Sequence, residues 1–160
     1  MNRKASNEIG WRRLAVLLLI FQVHGIPADP GIRRSGNVKL LQTFSIDLDD
    51  LSDDWPFKDI RFGAVSELEF YLGPVQGARM AIFGRSQPSE QACEASRMTG
   101  NNIPLSALVP GLHICVKTNE GRFADVRIDA VKPLSPDFVR GDISTLASLS
   151  FSFVVWEKRK

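Results

Sequence analysis

Residues 93–128 read CEASRMTGNNIPLSALVPGLHICVKTNEGRFADVRI, a stretch that holds both cysteines and the clearest strand-turn-strand pattern of the chain. Leu112 to Thr118 and Arg122 to Val131 flank Asn119-Glu120-Gly121, a short glycine-containing loop of the kind that joins the arms of a β-hairpin. In the second arm Ala124, Val126, Ile128 and Ala130 fall on one face and Asp125, Arg127 and Asp129 on the other. That is the period-two alternation of a half-buried strand with a charged, solvated outer face. Just upstream, Ser89 is placed to cap a short helix running to Met98, with Glu90 and Gln91 in its first turn and Gly100-Asn101 as its stop. Pro104 to Leu108 has room for a single helical turn before Pro110-Gly111.

The same alternation recurs on both sides of the hairpin. From Gln42, Phe44, Ile46 and Leu48 point one way and Thr43, Ser45, Asp47 and Asp49 the other. Phe57 to Val65 alternates around Ile60 and Phe62, and Glu67 to Leu72 sets Leu68, Phe70 and Leu72 opposite Glu67, Glu69 and Tyr71. A turn bracketed by Gly73-Pro74 and Gln76-Gly77 leads to a short strand over Ala78 to Phe83. After a loop at Pro133 to Asp142, Leu146 to Trp156 is the last strand, with Ala147, Leu149, Phe151, Phe153 and Val155 inward and Ser148, Ser150 and Ser152 outward. Short strands at such spacing predict a mainly β fold, an antiparallel β-sandwich or open barrel of about seven or eight strands with one short helix.

The chain has 160 residues and 44% apolar content, enough for one domain with a sizeable core. Residues 1–28 read as a signal peptide. Arg3, Lys4, Arg12 and Arg13 form a basic start, Leu14 to Phe21 an apolar core, and cleavage is expected after Gly25 or Ala28. The apolar run is about half of the ~20 residues a spanning helix needs, so an uncleaved anchor is the lesser alternative and no stable membrane span is expected after cleavage. Residues 29–40, polar and holding Pro30, Gly31 and Gly36, read as a linker, and residues 41–160 as a single β-rich domain. Removing the leader takes away four of 20 basic and one of 18 acidic residues, leaving 16 against 17. A nearly neutral chain with scattered cations carries no footprint for nucleic acid.

Two cysteines in an exported chain point to a Cys93–Cys115 disulfide joining the short helix to the first hairpin arm; buried free thiols or a redox pair are the alternatives. His113 is the only histidine beyond the leader, so a catalytic triad or a histidine-based zinc site has little to build on. The densest polar cluster is Asp47, Asp49, Asp50, Asp53 and Asp54. It either caps turns along an edge strand or, through Asp47, Asp49 and Asp53, holds a hard cation such as Ca²⁺, although the glycine and distal glutamate of an EF-hand loop are missing. A glycan-active hydrolase would need a second carboxylate across a cleft, from Glu67, Glu69 or Asp125. Arg122 is expected to pair with Glu120, and Trp156 either packs or offers a stacking platform. No phosphate-cradling glycine loop or serine elbow occurs.

Taken together, a Cys followed by Ile103-Pro104-Leu105, Leu108 and Gly111, then CVKTNEGRFA at 115–124 and a closing VVW at 154–156, resembles a β-rich module that recurs in exported or surface-exposed parts of bacterial proteins. IDLD at 46–49 and GPVQGARMA at 73–81 extend the resemblance over Phe44 to Glu157. It implies the fold, an extracytoplasmic address and the paired cysteines. It supplies no activity, no cofactor and no functional residues. The expected function is therefore a non-catalytic exported domain that binds or scaffolds in the bacterial cell envelope, with an envelope protein or glycan as partner. Carbohydrate binding, with or without Ca²⁺, through Asp47, Asp49 and Trp156 is the alternative, and a paired-carboxylate hydrolase a second one.

Overall fold

In a computed structural model, which describes residues 31–51, 57–66, 69–137 and 142–158, alternating apolar segments pair into two antiparallel sheets. Residues 1–28, expected to be a signal peptide, and Asp53, Asp54 and Glu67 lie outside the described residues. The strands are β1 (Ile32–Leu41), β2 (Ser45–Ile46), β3 (Ile60–Ala64), β4 (Phe70–Pro74), β5 (Arg79–Gly84), β6 (Ile103–Pro104), β7 (His113–Lys117), β8 (Phe123–Lys132) and β9 (Ser148–Trp156), with a helix α1 (Glu90–Glu94) after β5. One sheet has the order β1-β9-β8-β7-β5 and the other β2-β3-β4-β6. The fold is thus the expected sandwich, with no closed barrel. Among the described residues no helix is long and apolar enough to cross a membrane.

The core lies between the sheets. Ile60, Phe62, Phe70 and Leu72 of the smaller sheet meet Ile114, Val116, Val126, Ile128, Phe151 and Phe153 of the larger one. The Phe62 and Phe70 rings lie 5.9 Å apart between centroids, and Phe151 and Phe153 meet edge to face. In β9 the inward set is the predicted one, Leu149, Phe151, Phe153 and Val155. The β7–β8 hairpin closes through Thr118 N–H to Arg122 O at 2.8 Å, with Gly121 at φ 82°. That left-handed conformation explains the glycine. Ser89 caps α1, its hydroxyl accepting from Ala92 N–H at 3.2 Å, though the helix stops at Glu94, short of Met98.

Three local expectations change. The segment expected to be a linker at 29–40 is from Ile32 onward the edge strand β1, paired along its length with β9. Its polar content fits an edge, where charged side chains discourage further pairing. At Gly36 the Phe153 ring of the neighbouring strand comes within 3.2 Å of where a Cβ would stand, so a side chain there would press on the ring. The alternation read from Gln42 is broken at once: Thr43 turns to φ 73°, the chain crosses from one sheet to the other, and Phe44 is 57% exposed. β2 then ends at Ile46. In β8 a bulge between Ile128 and Ala130 swaps the faces, so Val131 and not Ala130 packs on the core. The extra residue of a bulge shifts the period by one, which alternation alone does not reveal.

Candidate functional site

Asp47, Asp49 and Asp59 converge with carboxylate oxygens within 4.8 Å of one another. The expectation that Asp47 and Asp49 face solvent is corrected, since they are 1% and 0% exposed. Because β2 stops at Ile46, the chain winds back on the Asp47 carboxylate, whose Oδ1 accepts from Asp49 N–H at 2.9 Å and Asp50 N–H at 3.1 Å. This is an Asx turn. Asp59, just ahead of β3, accepts from Leu48 N–H and, across the sandwich, from Asn119 N–H in the β7–β8 turn, both at 2.8 Å. Arg122, next in that hairpin, places Nη1 3.1 Å from Asp49 Oδ1 and also pairs with Glu120, as the sequence suggested. From β1, Arg34 Nε donates to Asp49 O at 3.0 Å and Arg33 pairs with Asp50.

The electrostatics follow from crowding. Burial pushes Asp59 up to about 7, against the two backbone N–H groups that favour its charge, and the neighbouring Asp49 and Asp47 push the same way. Burial also raises Asp49, against the pull of Thr118 and Arg122, while Glu120 and Asp49 hold Arg122 firmly protonated despite its own desolvation. Near neutral pH the cluster can therefore keep a proton on Asp59, with Arg122 as its counter-ion. Among the described residues a hard cation would draw on Asp47, Asp49 and Asp59, the last missed in the sequence; Asp53, the third residue expected there, lies outside the described residues. The Asp59 oxygens, like that of Asp47, already accept from the backbone, and a Ca²⁺ site wants six to eight oxygens. The cluster acts as a clasp joining β1, the 47–50 turn, β3 and the hairpin.

On the outer face of the larger sheet, Cys93 of α1 is joined to Cys115 of β7 by the expected disulfide. Beside it His113 Nδ1 lies 2.9 Å from both oxygens of Asp125. Both are buried, which corrects the reading of Asp125 as a solvated outer charge. Burial raises Asp125 against the pull of His113. A histidine held by an aspartate is the arrangement that orients a general base. The nearby cleft of about 290 Å³ also holds Ser152, but that hydroxyl donates to Asp129 at 3.2 Å, and the register sets Arg127 between it and His113. These residues do not form a triad.

A second cleft, of about 390 Å³, opens on the smaller sheet where Glu69 and Tyr71 of the β3–β4 hairpin meet Asn102, Pro104, Leu105 and Ser106. Tyr71 faces outward as its alternation predicted. Its ring atoms Cζ, Oη and Cε2 fall within 2.9 Å of the position a Cβ on Gly63 would take, and the Asn102 side chain likewise fills the space left by Gly73. Two glycines thus let a ring and an amide lie down on the sheet. Trp156 is partly exposed at the end of β9, across from Ile32, with no accessible Asp47 or Asp49 carboxylate to share a ligand. Of the carboxylates the hydrolase reading draws on, Asp47 and Asp49 are buried, Asp125 faces His113, Glu69 lies in the cleft with Tyr71, and Glu67 lies outside the described residues. A scan of family models and searches of curated proteins and solved structures return no match for the chain.

Proposed function

We propose that the chain is a non-catalytic, exported β-sandwich domain that binds a component of the bacterial cell envelope. The observation that carries the reading is how the reactive side chains are committed internally. Asp47 and Asp59 hold backbone N–H groups, Asp49 faces Arg122, His113 faces Asp125 and the cysteines are bonded to each other. Among the described residues an outward cleft on the smaller sheet is lined by Phe70 and Tyr71 beside polar groups, a form suited to binding. The basic and apolar leader at the start of the chain and a disulfide of the kind kept in oxidising compartments support the address.

Residues 1–30 fused ahead of alkaline phosphatase, which is active only after export, are expected to give activity in a bacterial host and to lose it with Leu18→Arg. An inactive fusion, or one indifferent to that charge, would overturn the address. The purified oxidised chain is expected to retain an envelope component on a column and to leave envelope polymers intact. Turnover of such a polymer by the chain would overturn the non-catalytic reading.

A further inference from the structure

We infer that the cleft over Tyr71 is a saccharide-binding site for an uncharged pyranose unit of a glycan. The inference rests on the binding reading above and names where and what the domain binds.

The floor of the cleft is built for a flat ligand. Gly63 stands directly across from Tyr71 in the β3–β4 register, and Gly73 follows it by two residues on the same face. A side chain at Gly63 would strike Cζ and Oη of Tyr71 at 2.5 Å, and one at Gly73 would strike Asn102 Oδ1. The ring is therefore seated low on the sheet, and it remains partly exposed. Around it the rim supplies Glu69, Asn102 and Ser106, all exposed, with Pro104 and Leu105 as an apolar side wall. A pyranose has the complementary form, an apolar C–H face ringed by hydroxyls that both donate and accept. A carboxylate accepts from two hydroxyls, an amide does both, and a serine hydroxyl turns to suit.

The same residues disfavour other ligands. Glu69 is the only charged side chain lining the cleft among the described residues, so an anionic ligand meets repulsion and no cation. An extended peptide would add to a free strand edge and hydrogen-bond its backbone. The edge offered here, β6, is two residues long, and one of them, Pro104, lacks an N–H. A flat polyol needs neither a cation nor an edge.

Tyr71 is the one tyrosine of the chain, so its ring resonances report on the site without ambiguity. The full oxidised chain is titrated in turn with maltotriose, cellotriose and chitotriose while the Tyr71 ring protons and the backbone amides are followed by NMR. At least one trisaccharide is expected to shift the ring signals together with amides of residues 69–73, 102, 103, 105 and 106. Tyr71→Ala should weaken that binding about tenfold or more. Because the ring also covers Gly63, Ser106→Arg provides a second variant at an exposed position, which obstructs the cleft without uncovering the sheet. It should abolish the shifts at unchanged thermal midpoint. If no trisaccharide shifts Tyr71, or binding survives Ser106→Arg, the proposal is overturned. Retention of an envelope component that persists in Ser106→Arg would overturn this site while leaving the binding reading standing; loss of retention already in the wild-type chain would overturn that reading itself.

Discussion

Asp59 carries more of the structure than its place in the sequence suggests. Its two oxygens accept backbone N–H groups from Leu48 and from Asn119, 60 residues away, so Asp59→Ala takes the acceptor from a buried donor and a part-buried one. The expected loss is about 2–4 kcal/mol, read from urea unfolding at pH 6. Burial raises the pKa of Asp59, and this makes its contribution to stability depend on pH. In the folded chain Asp59 titrates near 7 and its ordinary value is 3.8, so between those values the folded state holds a proton that the unfolded state has released. Its contribution to stability therefore falls as pH rises from about 4 to about 7 and is flat above that. Asp59→Asn removes the titration, and urea midpoints from pH 4 to 8 should show the variant without the part of the wild-type slope that Asp59 supplies. An unchanged slope would mean that Asp59 is ionised throughout.

At the level of elements, the disulfide and the edge strand make separable predictions. Cys93 and Cys115 close a loop of 22 residues, and α1 packs against β7 and β8 chiefly through that bond and the buried Cys93 side chain. Replacing both cysteines with alanine should lower stability by about 3 kcal/mol on the chain-entropy estimate. Hydrogen exchange should quicken in α1 before it does in β8, since the sheet keeps its own ladder. In β1, Gly36→Val sets a branched side chain against the Phe153 ring, which approaches the Cβ position to 3.2 Å. A cost of about 1–3 kcal/mol is expected from calorimetry, because Phe153 is itself packed in the core and has little room to yield.

Across the whole molecule the two sheets share one core, and the acidic clasp ties the chain's early turns to the late hairpin. Phe62 is fully buried at the sheet–sheet interface, so Phe62→Ala should cost about 3–5 kcal/mol. With one core, tryptophan fluorescence and far-ultraviolet dichroism are expected to report coincident transitions in that variant as in the parent. Separate transitions for the two probes would mean that the sheets unfold independently. The Tyr71 cleft sits on the smaller sheet, and the disulfide and the His113–Asp125 pair on the outer face of the larger one. Damage to one region should thus leave the other measurable.

Features with a local cause were legible in the residues alone. The inward set of β9, the Gly121 turn, the Ser89 cap and the outward Tyr71 follow from period-two burial, from a left-handed turn position and from an unsatisfied helix N–H, all visible within a few residues. Which polar residues go inside depended on contacts between distant segments. Asp47, Asp49, Asp59 and Asp125 are buried because donors or counter-charges from the backbone, Arg122 and His113 meet them there, and most of those partners come from other segments. Tertiary structure also made a strand of the polar 32–41 segment, through a neighbour more than 100 residues later, and set Val131 inward through a bulge. A charge can leave water only where a partner awaits it, and alternation along one strand does not say what another strand brings.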